Sequence, residues 1–147
     1  MILNPPALRV THRVFDAVEL LALHRVYALP VVDSEGRFVG MFDIHQLLKL
    51  VLPKAATMDH GLTDLSYVHD TLGTWPELRI HLQNIGDEPL ADYVDTEVPV
   101  AHPDTPSMET LRRLYRSPTL LPVVDDDGTL AGVVTFWDVL HKLAQVD

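Results

Sequence analysis

The sequence predicts an α+β fold in which one small unit is used twice and packed on itself about a pseudo-two-fold axis. Two observations carry that expectation. Leu29-Pro30-Val31-Val32-Asp33 recurs as Leu121-Pro122-Val123-Val124-Asp125, and each copy is followed three residues later by one glycine and seven residues later by another. Around each copy the hydrophobic periodicity passes from helical to extended and back in the same order. The copies read LPVVDSEGRFVGMFDIHQLL and LPVVDDDGTLAGVVTFWDVL at an offset of 92, from Leu29 to Leu121, without gaps. The helical stretches upstream, Ala17–Leu21 and Thr110–Leu114, align at 93, so the second copy is one residue shorter before its first strand.

Each element follows from its own residues. Ala7–Val10, after Pro5-Pro6, is a short extended lead-in. Residues 15–25 place Phe15, Val18, Leu21 and Ala22 on one helical stripe. Leu29–Val32 is a short β-rich run, Asp33-Ser34-Glu35-Gly36 has the Asp and Gly of a tight turn, and Phe38–Phe42 is the returning strand. Ile44–Leu52 reads as helix through Ile44, Leu47, Leu48 and Val51, with Pro53 as its stop. In the second copy Val98–Ala101 is an extended run closed by His102-Pro103 and expected to complete a three-stranded sheet. Asp104 or Thr105 is the expected N-cap of a helix with Pro106 in its first turn and Leu111, Leu114 and Tyr115 on its stripe. Leu121–Val124, the turn Asp126-Asp127-Gly128, Leu130–Val134 and the helix Val139–Leu143 complete the copy. The expected division is a first repeat at 7–52, a connector at 53–92 and a second repeat at 93–147. Within the connector, Pro76–Leu82 reads as a short helix started by its proline, and Asp92-Tyr93-Val94 as a lead-in.

Composition narrows the function. The chain has 147 residues, 47% of them hydrophobic, enough for an ordinary core. Its net charge of −10 leaves little to neutralise phosphates, so nucleic acid is not an expected partner. There is no cysteine, which removes disulfides, thiolate metal sites and thiol nucleophiles. No run approaches a membrane-spanning length, and Met-Ile-Leu-Asn-Pro-Pro lacks the pattern of a signal peptide, so a soluble cytoplasmic protein is expected. The eight histidines form no HxxxH or HExxH pair; His60 beside Asp59 and His69 beside Asp70 are weak as ligand spacings, and no metal is expected. No nucleophile elbow, P-loop or dinucleotide fingerprint is present, and no enzyme activity is expected.

The order of lead-in, amphipathic helix, LPVVD, Gly-containing turn and Gly-hydrophobic-hydrophobic-Thr-x-x-Asp resembles the CBS domain, and two copies resemble a Bateman module. Gly132-Val133-Val134-Thr135-Phe136-Trp137-Asp138 fits the last motif at every defined position. The resemblance implies tandem CBS repeats, β-α-β-β-α units forming one pseudo-two-fold module whose clefts bind adenosine-containing ligands: AMP, ADP, ATP or S-adenosylmethionine. It places a base between Val98-Pro99 and Pro118-Thr119-Leu120 in the second repeat, and it implies a homodimer, since relatives pair through their helices. Physical chemistry adds roles for two residues. Thr135 falls where a strand yields to a helix, so its hydroxyl and the first-turn amides suit an anionic or polar group. Asp138, one turn on, is an acceptor-only group able to take both hydrogens of a ribose diol. The same pair is also an ordinary helix-capping arrangement.

The first copy departs from the motif where the chemistry is decided. Asp43 stands in the Thr position and Gln46 in the Asp position, which puts a carboxylate where a phosphate would sit. This cleft, with Tyr27 and Ala28 beside it, is expected to be vacant or to take a different ligand. Tyr27-Ala28 and Thr119-Leu120 also hold no cation where many relatives contact phosphate, which favours adenosine, a monophosphate or S-adenosylmethionine over a triphosphate. Two functions follow: a ligand sensor acting mainly through the second repeat, or a structural, dimerising module that binds a protein partner and no nucleotide.

Overall fold

The computed structural model describes residues 2–51, 74–117 and 119–144. Pro53, His60, His69, the Thr63–Leu72 stretch and Pro118 lie outside them. The elements in chain order are β1 (Ile2–Leu3), β2 (Leu8–Arg9), α1 (Val14–His24), β3 (Ala28–Val32), β4 (Phe38–Asp43) and α2 (Ile44–Val51), then α3 (Trp75–Gly86) and a 3₁₀ turn at Leu90–Tyr93, and finally α4 (Ser107–Arg116), β5 (Leu120–Val124), β6 (Leu130–Thr135) and α5 (Phe136–Ala144). Helix α1 begins where the Asp16 carboxylate accepts the Arg13 N–H at 2.9 Å. It ends at Arg25, whose left-handed φ of 53° turns the chain while its N–H reaches the carbonyls of the last turn.

The two hairpins follow the same backbone path, with the side-chain acceptor moved from Asp33 in the first to Asp127, two places after the equivalent Asp125, in the second. Asp33 Oδ1 accepts the N–H groups of Glu35 and Arg37 at 2.9 and 3.0 Å, and Gly36 supplies a φ of 81°. In the second copy Asp127 accepts the Thr129 N–H at 3.0 Å and Gly128 supplies a φ of 89°. Hydrogen bonds from Thr129 hold the Asp127 carboxyl below the usual carboxylate range. Each strand pair then bulges at the same place, Val31/Val32 and Val123/Val124.

The copies are joined through these turns. Phe38 N–H donates to the Gly128 carbonyl at 2.8 Å, and Leu130 N–H donates to the Gly36 carbonyl at 3.1 Å. Those two bonds exchange equivalent residues, so the pseudo-two-fold axis runs between the turns. Edge strands are exchanged as well. β1, which leads into the first repeat, pairs antiparallel with β6 of the second, Ile2 opposite Val133 and Leu3 opposite Gly132. Asp95, which leads into the second repeat, exchanges two 2.9 Å backbone bonds with Met41 of β4. The resulting sheets are β2-β3-β4 and β1-β6-β5.

Two expectations are corrected here. Val98–Ala101 does not form a strand: Ala101 alone bridges Val123 in parallel, and β1 completes the sheet as its third strand. The reason is the loss of a donor. In the first repeat Val10 N–H extends the pairing to the Val32 carbonyl at 3.0 Å, whereas Pro103 holds the equivalent place and has no N–H. Neither Asp104 nor Thr105 caps α4. Pro106 takes the N-cap position, and the Thr105 hydroxyl instead accepts the His102 N–H at 2.9 Å, closing the preceding turn.

The core lies between each sheet and its helices. In the first repeat it comprises Leu8, Ala17, Leu21, Leu29, Val31, Phe42 and Leu90; in the second it comprises Ala101, Leu114, Leu121 and Val123. Helix α3, capped by Thr74 and longer than the short helix expected at Pro76–Leu82, packs on both α1 and α2. Gly86 is buried at this crossing, where a Cβ would lie 3.1 Å from the Phe15 Cβ. The turn after α3 then inserts Leu90, fully buried, into the first core. Leu90→Ala is expected to cost about 2–5 kcal/mol in urea denaturation, the range for an aliphatic truncation that leaves a cavity.

Candidate functional site

Strand β6 ends at Thr135, which lies opposite Leu120 of β5, and α5 starts at the next residue. The junction is held by a reciprocal set of bonds. Thr135 donates to Asp138 Oδ2 twice, from its N–H at 2.8 Å and its hydroxyl at 3.1 Å, while Asp138 N–H donates to Thr135 Oγ1 at 3.3 Å. This is a capping box, and it fixes the rotamers of both side chains at the mouth of the helix. A carboxylate oxygen has more than one acceptor direction, so the cap and a ligand contact are compatible.

The segments predicted to flank a base are placed as follows. Thr119 and Leu120 are half-buried at the start of β5, and the Ser117 hydroxyl donates to the Leu120 carbonyl. Val98 and Pro99 are also half-buried. Arg113, which sequence reasoning passed over, anchors this segment: its Nη1 donates to the Val100 carbonyl at 2.8 Å and its Nε to Glu109 at 3.1 Å. A Glu four residues before an Arg on a helix was the available signal. Arg25 and Arg116, the nearest cations before Tyr27 and Thr119, end α1 and α4 as exposed residues.

The first repeat builds the same junction from different groups. Ala28 lies opposite Asp43, and the Tyr27 carbonyl accepts the Ile44 N–H at 2.8 Å. Asp43 N–H donates to Gln46 Oε1 at 2.9 Å, and Gln46 N–H donates to Asp43 Oδ1 at 2.8 Å. The Gln46 amide then donates to the Tyr93 carbonyl at 2.9 Å. Tyr93 in turn donates its hydroxyl to Glu88. Gln46 thus uses its amide oxygen to close the cap and its amide NH2 to hold the chain entering the second repeat. Sequence pairing of positions 43 and 46 gave no signal for Tyr93, which lies 47 residues from Gln46.

A cavity of about 450 Å³ lies elsewhere in the second repeat, between α4, α5 and the Ala101–Thr105 segment. Its lining includes Ala101, His102, Leu111, Val134, Val139 and Lys142, and of the residues predicted for the ligand cleft only Asp138 reaches it. Among the described residues no cluster of three or more His, Asp or Glu is arranged to hold a metal ion, and no helix is long and apolar enough to cross a membrane.

Comparison with known proteins gives a consistent picture. A family model for the CBS domain matches residues 1–53 and again 90–145. Over 136 residues the chain is 30% identical to the CBS domain-containing protein CBSX2, chloroplastic, of Arabidopsis thaliana, covering 89% of this chain and 55% of that protein. CBSX1 of the same plant is 27% identical over 143 residues, covering 92% and 58%. The chain therefore spans a little over half the length of these relatives. The crystal structure of the Arabidopsis CBS-pair protein CBSX2 superposes with a TM-score of 0.76 at 26% identity, covering 99% of this chain and 92% of that one. CBSX2 in complex with AMP superposes at 0.68 and 26% identity, covering 97% and 90%. The Listeria monocytogenes CbpB protein superposes at 0.73 with 19% identity, covering 100% and 98%, a likeness of fold alone.

Proposed function

The chain belongs to the CBS-domain family and carries two repeats as a Bateman module, and on that premise we propose that it is a regulatory module binding an adenosine-containing ligand mainly in the cleft of the second repeat. The observation that carries this reading is the Thr135–Asp138 junction, which keeps the motif and presents it in fixed geometry. The complex of CBSX2 with AMP, a protein of 26% identity, supports the ligand class.

In this reading Asp138 accepts from the ribose hydroxyls, the Thr135 hydroxyl, whose one hydrogen goes to Asp138, adds an acceptor beside them, and the first-turn amides of α5 meet the polar or anionic end of the ligand. Val98 and Pro99 on one side and Pro118, Thr119 and Leu120 on the other cover the base. The first cleft, with Tyr27, Ala28, Asp43 and Gln46, takes no adenine nucleotide. Asp43 repels a phosphate there, and the Gln46 amide is engaged with Tyr93. The module performs no catalysis of its own. Ligand binding biases the relation between the repeats, and the signal passes by protein contact, to a second copy of the chain or to a separate effector.

Calorimetry with AMP, ADP, ATP, adenosine and S-adenosylmethionine tests this reading. Binding is expected for members of this set, with ATP weaker than AMP because no cation stands at Thr119-Leu120. Absence of binding to all five would instead support a structural module that binds only protein.

A further inference from the structure

The cleft of the second repeat has one wall that no sheet holds. Residues 96–100 belong to no strand, so Val98 and Pro99, which cover the base in the proposed complex, are placed by what moors the chain on either side of them. After them the moorings belong to the second repeat. Arg113 Nη1 donates to the Val100 carbonyl at 2.8 Å, and Ala101 N–H donates to the Pro122 carbonyl at 2.9 Å. Before them the moorings belong to the first. Met41 and Asp95 exchange two 2.9 Å backbone bonds, Asp95 Oδ1 accepts the Glu97 N–H at 3.0 Å, and Gln46 Nε2 donates to the Tyr93 carbonyl at 2.9 Å.

Pairing of Met41 with Asp95 uses backbone alone, whereas the tie to Tyr93 depends on one side chain of the first repeat. That side chain is held in a single orientation. Gln46 Oε1 accepts the Asp43 N–H at 2.9 Å while Nε2 meets a carbonyl, so a flipped amide would set N–H against N–H and oxygen against oxygen. An ionised aspartate, the residue at the equivalent position 138, has no hydrogen to donate and makes no such tie. The anchor is firm. Tyr93 ends the 3₁₀ turn, its hydroxyl donates to Glu88, and Leu90 of the same turn is fully buried in the first core.

We infer that Gln46 is a positioning residue for the nucleotide site of the second repeat: by fixing Tyr93 it sets where Val98 and Pro99 stand, and so how tightly a base is held. This rests on the adenosine reading of that cleft. Ordering a loose wall on binding lowers affinity, and a wall already moored avoids that cost. The substituted motif of the first repeat thereby acquires a use at the other site. An occupant of the first cleft that takes the Gln46 amide releases Tyr93, so the two clefts are coupled through one side chain.

The test uses Gln46→Met, which keeps the length of the side chain and a good helix former while removing both amide bonds. Leu21→Val, which trims the first core by one methylene, is the control for a general loss of stability. Calorimetry is expected to show AMP bound at least about fivefold more weakly by Gln46→Met and within about twofold of the parent by Leu21→Val. In a Val98→Ala background the effect of Gln46→Met is expected to shrink below about twofold, because both changes act on one wall. Full additivity in that cycle, equal weakening by Leu21→Val, or AMP bound alike by the parent and Gln46→Met would overturn the positioning role alone. A parent chain that binds no AMP would overturn the ligand reading instead. Amide hydrogen exchange at Asp95 and Glu97 then still decides the mooring: faster exchange in Gln46→Met than in Leu21→Val upholds it, and equal exchange sinks it.

Discussion

Asp138→Ala is expected to weaken AMP binding about a hundredfold. The carboxylate accepts two ribose hydrogen bonds in the proposed complex, and hydrogen bonds to a charged group are worth about 1.5 kcal/mol each at the lower end of their range. The same side chain accepts two bonds from Thr135, so the variant also loses part of a cap, a stability cost of about 1 kcal/mol. The two effects separate by measurement. Urea denaturation reads the cap, calorimetry on the folded variant reads the ligand, and Asp138→Asn keeps the shape while removing the charge. An Asp138→Ala protein that is slightly less stable yet binds AMP as well as the parent would reduce Asp138 to a capping residue.

The largest effect on stability is expected from Gly40→Val. A Cβ at position 40 would stand 2.3 Å from the Asp95 carbonyl oxygen and 2.6 Å from Val94 Cγ1, both in the segment that leads into the second repeat. Backbone cannot yield there without breaking the two Met41–Asp95 hydrogen bonds that seat this segment on β4. The combined loss of packing and pairing is expected to cost about 3–5 kcal/mol, a large share of the total stability of a small domain. Denaturation by urea would show it as a marked fall in midpoint. A change within about 1 kcal/mol would mean that the Asp95 segment is not held on the first sheet as described.

Glycine at position 40 was visible in the sequence only as the second glycine of the repeat, and its meaning is tertiary. The same division runs through the whole fold. The order of helices and strands around each LPVVD was legible because periodicity and turn chemistry are local: Asp33 with Gly36 and Asp127 with Gly128 each specify their own hairpin. Strand exchange was not legible. Ile2–Leu3 is too short to show alternation, and its partner β6 lies at the other end of the chain. Pro103 carries a readable warning, since its missing N–H ends the pairing at Ala101 and leaves Val98–Ala101 short of a strand.

The candidate site divides in the same way. The Thr135–Asp138 motif was readable because both residues lie within one turn, and the structure adds that the pair bond each other. The fate of Gln46 was not readable, because a glutamine at a motif position does not announce that its amide is spent on the Tyr93 carbonyl. That bond turns a sequence departure into a structural device, since the residue that stands at the Asp138 position in the first repeat holds the entrance to the second. Both junctions cap their helices, so capping alone does not distinguish them. Acceptor chemistry and the Tyr93 tie do.

The claim that two architectural clefts provide one nucleotide site is tested most directly by the stoichiometry of AMP binding to the unmodified chain. Titration calorimetry is predicted to saturate at about one AMP per chain, and saturation at two equivalent sites per chain would contradict the account.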